Sequence, residues 1–304
     1  MNSRQRKDLE RFLETQFTGT YLRHEPLARH TWYRIGGPAD IVAYPAGSED
    51  LQHLLQRCRA LDVPTYMLGE GANLLVSDSG YRGVVIALTR YCTAMQAEDE
   101  QVTVMAGALL KDLIEFCERQ NLGGLQGLAG IPGTLGGVLT MNAGTNLGEI
   151  GDYVTKVTLL NAQLELTELE RRQITFGYRS APELQNTCIL DCTVKLTHDD
   201  GDRLREFRLQ QIANREAKQP LDCPSCGSVF KRPAGFYVGK MVEELGLKGL
   251  RHGDAMISEK HGGFIVNCGN ATAAQVLYLI RTIQQAVEKR YHVELEPEVR
   301  LVGF

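Results

Sequence analysis

The stretch CPSCGSVFKRP, residues 223–233, gathers residue types from which chemistry is often built: two thiols separated by two residues, a serine after a glycine, and two cations. A structural zinc site needs four ligands, normally two such cysteine pairs, and no second CxxC occurs. A thioredoxin-type dithiol opens a helix after a strand, whereas this pair lies in a proline-rich turn. Cys188 and Cys192 are four apart on an expected strand, which puts both on one face, turned into packing. The cysteines therefore read as ordinary thiols with no metal site, and Ser228 becomes the group to explain.

Two glycine clusters stand earlier in the chain. In YMLGEGANLLVSD (66–78), Gly69 and Gly71 follow an expected strand, where backbone N–H groups can converge on a phosphate because no side chain blocks the approach. This is not the dinucleotide fingerprint, since Leu74 occupies the third glycine position and no acidic residue ends a second strand about 20 positions later. GIPGTLGG (130–137) followed by MNAGTN (141–146) is the second cluster. Ten of the chain's 31 glycines fall between Leu122 and Gly151, a density that implies unusual backbone angles or close approach to a ligand. Two such clusters in one lobe point to a nucleotide-type ligand.

The positioning elements can be read from periodicity. Leu9, Phe12, Leu13 and Phe17 share a helical face over 4–17. A second helix begins at Ser48 as N-cap, with Leu51, Leu54, Leu55, Cys58 and Leu61 at helical spacing. Strands are expected at 64–69, 83–88 and 101–106, a helix over 109–119, and strands again in VTKVTLLNA and CILDCTVKLT. DDGD (199–202) reads as a turn and a domain boundary. Three helical patterns follow, the clearest over 272–290. Mixed strands and helices, some too closely linked for an alternating parallel sheet, indicate an α+β chain of two lobes.

Composition narrows the class. The chain has 304 residues, 43% hydrophobic and 23% charged, with a net charge of -4. This is a globular profile without the basic excess of a nucleic-acid binder. The N-terminus carries charges where a signal peptide needs an apolar stretch, and no apolar run is long enough to enter a membrane. Cysteines in apolar segments (Cys58, Cys117, Cys188, Cys192, Cys268) suit reduced thiols and a cytoplasmic location.

The segments TWYRIGGPAD, LGEGANLLVSD, GIPGTLGG with MNAG, FGYRSA, REAKQP, PSCGSVFKRP, GKMVEELGLKG and LEPEVRLVG occur in this order from about Thr31 to Gly303. Together they resemble the UDP-N-acetylenolpyruvoylglucosamine reductases, and the form of FGYRSA is similar to their shorter, type II branch. The resemblance implies a vanillyl-alcohol-oxidase/PCMH-type FAD-binding lobe (31–198) after an N-terminal helix and lead-in (1–30), and a C-terminal α+β substrate-binding domain (199–304). It implies non-covalent FAD, NADPH as reductant and a UDP-sugar substrate, with no obligate protein partner. By the same resemblance Ser228 is the proton donor, and Arg179 and Glu298 stabilise the enolate-like intermediate. Glu298 is either protonated by burial or orients a donor. Cofactor contacts fall to Arg34, Gly69, Gly71, Ala72, Asn73, Leu74, Gly133, Gly137, Asn142 and Gly144, and substrate contacts to Arg215, Lys218 and Arg232, with Lys231 a neighbouring candidate. Three positions depart from the pattern: Ala72 where many members have serine, TNLGE at 145–149, and Arg232 where the type I branch has asparagine.

Overall fold

The computed structural model describes every residue from Met1 to Phe304. The chain forms two compact units: Met1–Arg23, Ile41–Glu70 and Gly83–Asn214 in the first, and His24–Asp40, Gly71–Arg82 and Arg215–Phe304 in the second. These units depart from the linear boundaries expected at 31 and 199, and hydrogen bonding gives the reason. Within the second unit, Leu74–Val76 pairs in parallel with Arg300–Val302, and the Asn267 amide donates to the Tyr33 carbonyl at 3.0 Å. The 24–40 and 71–82 segments are thus folded with the C-terminal residues.

In the first unit the expected helices appear as α1 (Ser3–Thr15), α2 (Ser48–Ala60) and α3 (Leu110–Arg119). The Asn2 side chain caps α1 and exchanges a reciprocal bond with Gln5. The N-cap of α2 is Gly47 rather than Ser48, and the Asp50 carboxylate in the first turn accepts from the N–H groups of Thr18, Gly19 and Ala46. The apolar stripe Leu51, Leu54, Leu55 and Cys58 is buried as the spacing requires.

A five-stranded antiparallel sheet follows, in the order Leu166–Glu170, Val154–Leu160, Cys188–Lys195, Gln101–Met105, Met95–Glu98. Beside Tyr81–Ala87, Thr65–Leu68 runs parallel in a separate four-stranded sheet. One core fills this unit, from Leu9 and Leu51 through Val104, Leu113 and Leu135 to Val194. Helix α4 (Leu135–Thr140) lies inside the glycine-rich stretch. The long helix α5 (Gly201–Lys218) begins inside DDGD, so that Gly201 and Asp202 of the expected turn are already helical, and Arg208 binds Glu118 at 2.9 Å and Glu115 at 3.2 Å. Those ion pairs keep residues 201–214 with the first unit, so the boundary falls later than the turn.

The second unit is built from a three-stranded antiparallel sheet (Arg251–His252, Ala255–Ile257, Ile265–Asn267) and helices α6 (Val238–Glu244) and α7 (Ala273–Tyr291). Its core joins Tyr33, Ile35 and Leu75 to Phe230, Met241, Val276, Ile280 and Val299. Thr272 and Gln275 cap α7 reciprocally, while the Asp78 carboxylate accepts from the N–H groups of Ala273 and Ala274. A carboxylate there satisfies two otherwise unpaired donors and complements the helix dipole.

Candidate active site

In the first unit, Arg179 lies at the tip of a tight turn closed by two bonds between Gly177 and Ser180, at 2.9 and 3.0 Å. Its φ of 54° places a non-glycine residue in the left-handed region at the third turn position, where Gly or Asn is the usual choice. The strain is held by neighbours. The Arg179 guanidinium donates to the Gly144 carbonyl at 3.0 Å and lies 5.2 Å from the Tyr178 ring centre. The Asn142 side chain accepts from Gly151 N–H at 3.0 Å and donates to the Gly177 carbonyl at 2.9 Å and to Glu149 at 2.6 Å. Asn142 and Gly144, expected as cofactor contacts, therefore both serve the Arg179 turn. Gly144 has no room for a side chain, since a Cβ there would stand 2.7 Å from the Gly148 carbonyl.

The rest of the glycine-rich stretch is equally constrained. A Cβ on Gly69 would meet the Thr134 hydroxyl at 2.5 Å, and Gly133 has a φ of 144°. At the start of α4, Leu135 and Gly136 donate to the Ala108 and Ala106 carbonyls, and Gly137 donates to the Thr134 hydroxyl. The Gly137 N–H is thus already engaged by the protein. No sequence motif marks Gln126. It is 2% exposed, accepts from Gly124 N–H, and its Nε2 has no acceptor within the protein.

The expected loop 66–78 is divided, with Gly69 in the first unit and Gly71, Ala72, Asn73 and Leu74 in the second. The two glycine clusters are therefore not confined to one lobe. Gly71 is also required for a different reason than ligand approach: its φ is 66°, and a Cβ would fall 2.0 Å from the His30 carbonyl oxygen. Trp32 N–H donates to the Gly71 carbonyl, and Arg34, at a φ of 54°, closes a turn onto Thr31. Asn73 reaches the Glu298 carbonyl at 2.9 Å.

Ser228 and Glu298 belong to two segments paired in antiparallel fashion. Phe230 bridges Pro297, and Lys231 N–H donates to the Glu296 carbonyl. At the next step the N–H groups of Glu298 and Val299 both donate to the Val229 carbonyl, at 2.8 and 3.3 Å. Two successive donors on one acceptor form a bulge, the irregularity by which strands re-aim a side chain. Gly227, with a φ of 80°, turns the chain just before Ser228. The Ser228 hydroxyl donates to the Phe230 carbonyl at 3.3 Å. Gly263 lies close to Ser228 and His261: a Cβ on Gly263 would stand 3.6 Å from the serine oxygen and 3.0 Å from the imidazole. His261 Nδ1 accepts from Gly263 N–H, and burial holds its pKa below the ordinary value, so the ring is neutral at pH 7. The HGGF sequence was the available signal for these two neighbours.

The cations are less closely held. Lys218 is exposed in the last turn of α5, and Arg215 bonds Gln219 at 3.2 Å. Arg232 stacks over the exposed Tyr237 ring at 3.8 Å, whereas Lys231 is paired with Glu296. Among the thiols, Cys226 is sealed beside Tyr33, and burial pushes its pKa to about 12. Cys188 and Cys192 are buried as expected, but Cys268 is exposed. No group of three or more His, Cys, Asp or Glu residues is placed to hold a metal.

Among curated relatives, the chain is 40% identical over 291 residues to the UDP-N-acetylenolpyruvoylglucosamine reductase of Moorella thermoacetica, covering 96% of each. To the protein of the same name from Listeria welshimeri it is 41% identical over 293 residues, covering 96% of this chain and 98% of that one. The chain belongs to the UDP-N-acetylenolpyruvoylglucosamine reductase family. It is accordingly an oxidoreductase. Residues 219–302 match that reductase's C-terminal domain, and residues 39–170 match an FAD binding domain. The crystal structure of the reductase from Thermus caldophilus superposes with a TM-score of 0.79 at 33% identity, covering 93% of this chain and 98% of that one. The expected architecture, an FAD-binding lobe with a C-terminal α+β domain, is the one found. Ser228, Arg232 and Glu298 lie inside the reductase C-terminal match, whereas Arg34, Arg179, Arg215 and Lys218 lie outside both matched segments.

Proposed function

We propose that this chain reduces UDP-N-acetylenolpyruvoylglucosamine to UDP-N-acetylmuramate for peptidoglycan synthesis in the cytoplasm, with FAD as carrier and NADPH as reductant. The observation that carries this reading is the backbone pairing of the Ser228 and Glu298 segments inside the region matching the reductase's C-terminal domain. No helix is long and apolar enough to cross a membrane.

The glycine-rich residues fit a flavin dinucleotide. Gln126 offers a buried amide donor without a protein acceptor, and Gly69 leaves the Thr134 hydroxyl free of a side chain that would crowd it. Loops 66–78 and 130–146 contain neither His nor Cys, which suits non-covalent attachment. When bound, FAD supplies a two-electron carrier that accepts hydride from NADPH and yields it to the enolpyruvyl methylene carbon. The remaining work belongs to the chain. Hydride addition leaves negative charge on the carboxylate-bearing carbon, and a guanidinium fixed like that of Arg179 lowers the energy of such charge. Ser228 supplies the proton to that carbon, and Glu298 takes part in the same step. Arg215, Lys218 and Arg232 are the cations for the substrate's diphosphate.

The test is anaerobic oxidation of NADPH by the purified yellow protein, with and without the enolpyruvyl sugar nucleotide. Turnover that depends on the nucleotide and forms UDP-N-acetylmuramate is expected. Absence of that product, with NADPH consumed only in the presence of oxygen, would overturn the assignment.

A further inference from the structure

The two thiols of CPSC are not each other's partners. Ser225 bridges Val266 in antiparallel fashion, and Asn267 N–H donates to the Pro224 carbonyl at 2.9 Å. Both contacts belong to one register, in which each step back from Ser225 matches a step forward from Val266. Continued one step further, into the bend on either side, that register sets Cys223 opposite Cys268. Pro224 and Asn267 form the hydrogen-bonded pair, with one bond only because proline has no N–H. On that continuation Cys223 and Cys268 take a non-hydrogen-bonded position, in which opposed Cα atoms approach to about 4.5 Å and side chains are closest. Disulfides span Cα separations of roughly 4.4–6.8 Å.

Accessibility separates this pair from the other thiols. Cys268 is exposed and Cys223 half-buried, while Cys58, Cys92, Cys117, Cys188, Cys192 and Cys226 are buried. Burial, Asp222 and the adjacent Cys268 together push the Cys223 thiol up, which places the two cysteines within electrostatic reach of one another.

We propose that Cys223 and Cys268 form a redox-responsive cross-strand thiol pair, oxidised by small disulfides of the glutathione type. The exposed Cys268 thiolate attacks the small disulfide, breaking its S–S bond and releasing one small thiol, which takes up a proton. Cys223 then loses its proton to solvent and attacks the Cys268 sulfur of the mixed disulfide, releasing the second small thiol. Two cysteine thiols are oxidised to one disulfide, and one small disulfide is reduced to two thiols. The new bond ties the Pro224 segment to the strand Ile265–Asn267 and restrains the chain leading into Ser228.

The experiment treats the full-length protein with oxidised glutathione, then quenches with acid and measures intact mass, digested peptides and thiols titrated in denaturant. A mass lower by about 2 Da, two thiols fewer than the eight of the reduced chain, and a 223–268 cross-linked peptide are expected, all reversed by dithiothreitol. Cys268→Ser should abolish the cross-link, and Cys223→Ser should stop at a stable glutathione adduct on Cys268. A stable adduct on the unsubstituted protein, an unmodified chain, or an unchanged cross-link count in Cys268→Ser would each overturn the pairing.

Discussion

The Asn73 side-chain amide donates to the Glu298 carbonyl at 2.9 Å, and Arg300 N–H returns to the Asn73 carbonyl at 3.0 Å. A loop residue expected to meet a cofactor thus fixes the backbone of a candidate catalytic carboxylate 225 positions away. Asn73→Ala should cost about 1 kcal/mol of stability, the usual value of one such bond. It should also slow flavin reoxidation by substrate more than flavin reduction by NADPH. Equal slowing of both steps, measured by stopped flow, would assign Asn73 to general folding or cofactor retention.

Ser228→Ala separates the two half-reactions most sharply. In the proposed reaction hydride transfer from NADPH needs no proton from this serine, so flavin bleaching should be nearly unchanged. Reoxidation should slow by the ~10²–10⁴-fold typical of losing a general acid. If both phases slow equally, the serine positions the cofactor and is not the donor.

Arg179 has a φ of 54°, and a side chain in that conformation costs of order 1 kcal/mol that glycine does not pay. Arg179→Gly and Arg179→Ala both lose the bond to Gly144 and the guanidinium. The glycine variant should therefore be the more stable of the two by about 1 kcal/mol in urea titrations, with both impaired in reoxidation. Equal stability would show that the turn relaxes when the arginine is removed.

Gly71 and Gly227 share a positive φ but not an environment. A Cβ on Gly71 would stand 2.0 Å from the His30 oxygen, whereas one on Gly227 would meet nothing within 4 Å. Gly227→Ala should cost only the left-handed penalty of roughly 1–2 kcal/mol. Gly71→Ala should cost ~3 kcal/mol or more, because backbone must move. Thermal melts that rank the two variants in reverse order would contradict the close approach at Gly71.

His261 makes stability depend on pH. Its folded pKa lies below the unfolded value of about 6.5 because burial penalises the imidazolium. The unfolded chain therefore binds more protons as pH falls below that value. The stabilisation is complete above about pH 6.5 and is lost as pH falls toward the folded pKa. Urea unfolding followed from about pH 7.5 to about pH 5 should show a decline that is shallower in His261→Asn. An identical decline in the variant would place the titrating group elsewhere.

The helices α1, α2 and α3 and the main strands were legible in the sequence because each depends on spacing within a dozen neighbouring residues. The ordered motifs likewise carried the family, since residue types survive as text whatever the fold does with them. Contacts between distant segments left no such local trace. Nothing near Gly71 announces His30, nothing in MNAG shows Asn142 bracing the Arg179 turn, and nothing in CPSC announces the bridge from Ser225 to Val266. The glycines advertised that side chains are forbidden, but only tertiary packing decided what forbids them. The same holds for the two units: a strand of three residues, Leu74–Val76, carries too little pattern to declare its partner. Its pairing with Arg300–Val302 is settled by backbone hydrogen bonds and a shared core, which exist only once the whole chain has folded.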